Sequence, residues 1–560
     1  NFQMLPSPTA APIDARMNAS RPDQESLVPP ATAPPFCARP VMRCSKGTIF
    51  SLTPAEMLDD IDHEMRYMKR ILIGLPLLVV LAWLFVPAGS QSMSPPADAE
   101  PFVWDQDELW SALEAEFNTV RAAGCVSAGE RIDLNLGTLR DDIVWLETGA
   151  RSPDDQRLDA MENRLFAVAP LLAACPERVR AMVDIVQRLR AALKHNSRVW
   201  DIQDDVARDR VYRLLYGARM AIEEIQLQSR AGGVPEVILG SDVPSQAPSV
   251  LFSGVRIHSG DILVSRGGAP VSALIARGND YPGTFSHIAF VHVSEALEVS
   301  VIEAHIEVGV TVSSIEQYLA DKKLRIMLLR IDDSLEQLQA DPLLPHRAAT
   351  AALDEARERH VPYDFAMHYE DPGKKFCSEV VSAPLAELGV ALWEGRTTMS
   401  SRGTTAWLSA LGVEQFETHG PSDLEYDPKI VVVAEWRDRE TLFDDRVDNA
   451  VIDAMLEGAE RGNTIDYDYP YLPLARLAKA WSLLLNALGR HGPVPEGMSA
   501  TTALRSRWLA EQHQAIKAEV LEQVDAFRAE HNYEPPYWQL VAMARDSSSP
   551  DFSHDMTEGQ

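Results

Sequence analysis

The hydrophobic period changes twice along this chain, and that change limits its architecture more than any other feature. From about 103 to 230, apolar residues recur every three or four positions, as in Leu109-Trp-Ser-Ala-Leu-Glu-Ala-Glu-Phe117, with charges on the other face and little proline. Such spacing predicts a helical bundle or a set of helical hairpins. Beyond a Gly/Pro/Ser stretch ending near 249 the pattern shortens. Gly260–Ser265, His287–His292, Val301–Val310 and Leu324–Ile331 are β-branched runs bounded by Gly, Pro, Asp and Ser, the signature of strands. A helix is expected over Arg347–His360, a last strand over Lys429–Trp436, and helices again from 440 to 545, including Thr502–Ala529. Strands ahead of a helix describe an α+β domain at 250–436, flanked by helical regions at 103–230 and 437–545 and followed by a disordered tail, 546–560. The Tyr/Pro turn Asp466–Tyr471 reads as packing over a neighbouring helix.

Charge narrows the function classes. Lys and Arg total 52 against 82 Asp and Glu, a formal charge of −30. This argues against nucleic acid or an anionic membrane surface as the main partner, since both select basic patches. Residues 1–90 carry eight charges of each sign, so the acidic excess lies in 91–560. Five cysteines are too few for a disulfide framework. Cys125 and Cys175 each sit at an expected helix end and are either one bridge, in an oxidising compartment, or two core thiols. Cys377 is left unpaired.

Residues 1–67 form a Pro/Ala/Ser-rich leader, read as an over-extended start. Met68–Ser90 has a positive beginning, an apolar run Ile71–Val86 and small residues before Gln91, the layout of an export signal. The rival is an uncleaved anchor, because 71–88 is long enough to span a bilayer and Arg66, Lys69 and Arg70 precede it. Pro76 and the Ala88-Gly-Ser90 ending favour cleavage. Both readings place the body outside the cytoplasm, periplasmic or membrane-anchored, after a linker at 91–102.

Cys377 stands where the turn Asp371-Pro-Gly373 and two lysines give way to helical spacing from Ser378 to Leu388. A helix N-terminus and neighbouring cations favour a thiolate, so this cysteine is a candidate nucleophile, the alternative being an inert buried thiol. A nucleophile needs a base and a group to orient that base. Period-two alternation puts His287 and His292 on opposite faces of their strand, so at most one of them points at the cysteine. His287 enters from a loop and has the small neighbour Ala289, which leaves room for a facing helix. In Val301–Val310 the residues Glu303, His305 and Glu307 share one face, and a carboxylate there could orient His287; the alternative is a solvated strand face.

Taken in order, Gly260-Asp-Ile-Leu263, Ser286-His287-Ile-Ala-Phe-Val291, Ile302-Glu303-Ala304 with Gly309-Val310, Pro362-Tyr-Asp364 and Phe376-Cys377-Ser-Glu-Val-Val381 resemble the YiiX/YebB-type permuted papain-like amidases, relatives of the NlpC/P60 cell-wall peptidases. The resemblance covers roughly 255–435. It implies a permuted papain-like domain in which histidine precedes cysteine, with Cys377 as nucleophile, His287 as general base and Glu303 as the orienting group. It also implies an amide-containing envelope substrate, a cell-wall peptide or an acylated lipid, and no cofactor or metal. Two rivals are an inactive papain-like scaffold and a cysteine acyltransferase. The sequence contains no His-Glu-x-x-His, no Cys-x-x-Cys and no Gly-rich phosphate loop, and His258, His346 and His368 read as surface or loop histidines. Pro384 is expected to kink or restart the nucleophile helix, and residues 71–88 offer a route to membrane association.

Overall fold

In the computed structural model, which describes residues 82–87, 95–96, 98–229, 235–369, 371–488 and 490–548, the periodic segment from 103 folds into five helices. These are α1 Asp107–Ala123, α2 Cys125–Glu147, α3 Gln156–Ala174, α4 Val179–Ser197 and α5 Asp205–Gln228. Asp155 and Asp204 cap α3 and α5 by accepting main-chain N–H bonds of the first turn. Cys125 at the start of α2 and Cys175 at the end of α3 are joined as a disulfide, with Cα atoms 5.4 Å apart. All described residues fall in one unit, Leu77–Gln560.

The strand-like segment forms a seven-stranded sheet from β1 Val237–Leu239, β2 Ile262–Gly267, β3 His287–Val293, β4 Val299–His305, β5 Gly309–Ser313, β6 Lys323–Ile331 and β7 Ile430–Trp436. Its order is β1-β7-β6-β2-β3-β4-β5, antiparallel throughout. Alternation buries both faces. Ile262, Val264, Ile288, Phe290, Ile302 and Met327 pack beneath α6 Leu344–Glu358 and α7 Glu379–Glu387. Leu263, Ala289, Val291, Val301 and Leu328 pack on the other side against Ile257, Ile315 and Tyr318. The chain closes with α8 Arg439–Glu460, α9 Leu472–Ala487, α10 Ala500–His531 and α11 Tyr537–Ser547.

Three expectations change. The run Val301–Val310 is a hairpin, β4 and β5, because Gly309 adopts φ +75° and a Cβ there would meet the Val361 carbonyl oxygen at 2.1 Å. Glu307 therefore lies in an exposed turn and leaves the face of Glu303. His258 is buried at the end of a short strand, and His346 sits on α6 with Nδ1 2.7 Å from Ser259 Oγ, so neither is a loop residue. The leader, most of the apolar run Ile71–Val86 and residues 549–560 lie outside the described residues, and among those described no helix is long and apolar enough to cross a membrane.

Buried charge ties the N-terminal helices to the sheet. Glu223 on α5 accepts bonds from Arg219 at 3.2 Å, Arg325 of β6 at 2.6 Å and Arg437 at 3.0 Å. Burial alone would raise its pKa; the arginines overcome this and hold the carboxyl well below its ordinary range. Removing one partner from such a desolvated set costs about 3–5 kcal/mol, because the remaining charges stay buried.

Candidate active site

The loop carrying Cys377 is splinted by main chain. Lys375 N–H donates to the Pro362 carbonyl at 3.0 Å and Asp364 N–H to the Lys375 carbonyl at 3.2 Å, a parallel bridge between Tyr363 and Lys375. The Asp364 carboxylate closes the turn by accepting from the N–H groups of Ala366 at 3.0 Å and His368 at 2.7 Å. Pro362-Tyr-Asp364 is thus the brace that sets the position of Phe376 and Cys377. Phe376 N–H donates to Glu379 Oε2 at 3.0 Å, and Ser378 Oγ donates to the His419 carbonyl at 2.6 Å.

Helix α7 begins at Glu379, so Cys377 does stand at a helix start, but two expectations fail there. The helix does not break at Pro384; it runs on to Glu387. Proline costs only the bond to the Val380 carbonyl, while Val380, Val381 and Leu385 pin this nine-residue helix to the sheet. The thiol is also not acidified. Burial pushes Cys377 up to about 11, overriding the N–H groups of Ile288 and of the helix start that face the sulfur. The lysines do not help, since Lys375 pairs with Glu355 and Lys374 lies 3.9 Å from Asp371.

His287 is the first residue of β3, and its Nε2 lies 2.8 Å from Oε2 of Glu303 on β4. Glu303 stands opposite Ala289 in the ladder, 2% exposed. Its second oxygen accepts from Ser313 Oγ at 3.0 Å and lies 3.2 Å from His305 Nε2. Burial would raise the Glu303 pKa; the two histidines outweigh it and hold the carboxyl well below its ordinary range. An ionised carboxylate only accepts, so the His287 proton sits on Nε2 and Nδ1 is the free acceptor. Burial lowers the His287 pKa despite Glu303, whereas at His305 the bond and charge of Glu303 overcome burial and raise it. The pair is therefore split into a neutral base and a more readily protonated neighbour.

Cys377 and His287 approach from different faces of the sheet. Helix α7 packs with Ile288 and Phe290, not on the Ala289 face expected from residue size. The Cys377 sulfur reaches the strand end that carries His287, where the Ile288 N–H, one residue on, faces it. His292 stacks on His346 at 5.3 Å and takes no part. His305 was visible as a face-mate of Glu303; Glu379 stood in the run Phe376–Val381 without a role of its own, and the Ile288 N–H, being main chain, carried no sequence signal. His287, Glu303 and His305 present donor atoms within 4.8 Å of one another, the set in this site with the chemistry to hold a transition metal.

Residues 256–434 match the model of the family described as permuted papain-like amidase enzyme, YaeF/YiiX, C92 family. This segment is a YaeF/YiiX-type domain. The YaeF/YiiX match spans β2 to β7 and includes Cys377, His287 and Glu303, about a third of the chain. No curated protein and no solved structure matches. The family supports a hydrolase of amide bonds built on mixed helix and antiparallel sheet.

Proposed function

We propose that the YaeF/YiiX-type domain is an exported cysteine hydrolase that cleaves amide bonds in cell-wall peptides or acylated lipids, with Cys377, His287 and Glu303 in the roles of nucleophile, base and orienting group. The observation that carries this reading is the 2.8 Å contact of His287 Nε2 with Glu303, which leaves Nδ1 free at the strand end where the Cys377 sulfur meets the Ile288 N–H. With the thiol pushed up and the imidazole pushed down, the resting pair is neutral, so the thiol is deprotonated by Nδ1 as it attacks. The Sγ–H proton passes to Nδ1 as the S–C bond forms. The tetrahedral oxyanion faces main-chain N–H at the start of α7, and the imidazolium returns its proton to the departing amine. Water then gives a proton to Nδ1 and attacks the thioester, releasing the acid and the thiol.

The raised Cys377 thiol favours a second reading, an inactive papain-like scaffold. Turnover separates the two. Full-length protein is offered N-acylated lipid amides and cell-wall peptides while amine release and the mass of the Cys377 peptide are followed. The proposal expects a transient acyl adduct on Cys377 and a loss of roughly a thousandfold or more in Cys377→Ala. Equal rates for the two proteins on both substrate classes would leave the scaffold reading standing.

A further inference from the structure

Helix α9 is built inside out. In Leu472–Ala487 and the residue after it, Leu474, Leu477, Trp481, Leu484 and Leu488 recur at three and four, the spacing that normally faces a core. All five are more than half exposed, while the buried side is marked by Ser482, whose hydroxyl accepts the Val494 N–H at 2.9 Å. The stripe is about 21 Å long at 1.5 Å per residue. Apolar surface on that scale, rimmed by aromatics, marks an interaction face. Tyr469 and Tyr471 flank its N-terminal end and are each nearly half exposed.

Two further observations name the occupant. From Tyr469 to Pro495 there is no Asp or Glu, in a chain that carries 82 of them, while Arg476, Lys479 and Arg490 fall inside the stretch. The strong negative charge that argues against anionic surfaces is thus absent where the apolar stripe lies. The last described residues of the apolar run Ile71–Val86 also lie on this patch. The Arg476 guanidinium sits 4.1 Å over the Trp83 ring and donates to the Val86 carbonyl, and the Phe85 ring is 6.4 Å from that of Tyr469. Trp83, Phe85 and Val86 are themselves about half exposed.

We infer that α9 is an interfacial membrane helix: its Leu474–Leu488 stripe lies among the acyl chains, with Tyr469 and Tyr471 at headgroup depth and Arg476 and Arg490 toward anionic headgroups. This seats the body directly on the bilayer, and it holds whether or not the apolar run is cleaved and whether or not Cys377 is catalytic. The stretch that carries the face holds cations and no acid, and a stripe of leucines with interface aromatics needs no shaped counterpart, so the face fits lipid better than a protein partner.

The test is hydrogen exchange of the full-length protein with and without vesicles of phosphatidylethanolamine and phosphatidylglycerol, read on peptides covering 472–488, beside Leu477→Ser/Trp481→Ser/Leu484→Ser. Those side chains are exposed, so the variant keeps the wild-type exchange pattern elsewhere. Vesicles should slow exchange of the α9 peptides by roughly tenfold, and the triple variant should lose that protection and bind vesicles at least tenfold more weakly. Unchanged α9 exchange in the presence of vesicles overturns the inference, even if the chain attaches through 71–86. So does protection without vesicles: dependence on protein concentration would assign the stripe to a second copy, and independence to other residues of this chain.

Discussion

Glu303 within β4 and Glu379 at the start of the nucleophile helix are nearly equally buried, 2% and 3% exposed, yet one is ionised and the other neutral. Glu303 faces two imidazoles and a hydroxyl and stays ionised well below the usual range. Burial pushes Glu379 up to about 8: it accepts one main-chain N–H, that of Phe376, and the Lys375 charge that would lower it is opposed by Asp364 and Asp371. Burial therefore sets the stakes and the partners decide the outcome. The consequence for the site is a division of labour. One carboxylate supplies the charge that fixes the histidine tautomer, and the other braces the helix start as a neutral acid, without a second negative charge beside the thiol.

The sharpest way to break this contrast is to remove the group that Glu303 serves. Under the proposed mechanism His287→Ala should lower kcat/KM roughly a thousandfold in protein that is still folded, because Nδ1 takes the thiol proton in the first half-reaction and the water proton in the second; a loss under tenfold would leave Glu303 with no catalytic purpose. Glu303→Gln comes next, with an expected loss of roughly 10- to 100-fold, and its pH profile tests the cause. Burial lowers the His287 pKa below 6.5 and the Glu303 charge works against that. The acid limb of kcat/KM should thus lie below pH 6.5 in the native protein and move lower still in Glu303→Gln. An acid limb that stays in place would mean that the 2.8 Å contact does not govern the titrating imidazole.

How much of this could be read beforehand depends on the range of the interaction. The period switch located the strands at 262–267, 287–293, 323–331 and 430–436 and the helix at 344–358 to within a few residues, because alternation is a local property. The joining of His287 to Glu303 was legible too, since both fall on one face of adjacent strands. The thiol was misjudged. A helix start and two lysines argue for a thiolate, but whether the lysines are spent on Glu355 and Asp371, and how deep the sulfur lies, are tertiary facts. The same limit hid the outward stripe of α9: spacing tells which residues share a face, and only packing tells which way that face turns.

The smallest effect, and the most direct test of the contrast, is Glu379→Gln. The folded carboxyl holds its proton to about 8, against 4.5 for an ordinary glutamate. Between those values the folded state keeps a proton that the unfolded state has lost, so stability falls as pH rises through the window; below it both states are protonated and nothing is contributed. Glutamine cannot ionise and still offers an oxygen to the Phe376 N–H. Urea unfolding should find variant and native protein alike near pH 4.5. At pH 9 the variant should be the more stable, by about 1–2 kcal/mol once water entry and relaxation have eased the cost of the buried charge. A variant less stable than the native protein at pH 9 would mean that the Lys375 charge outweighs burial at Glu379, and the two glutamates would differ in degree and not in kind.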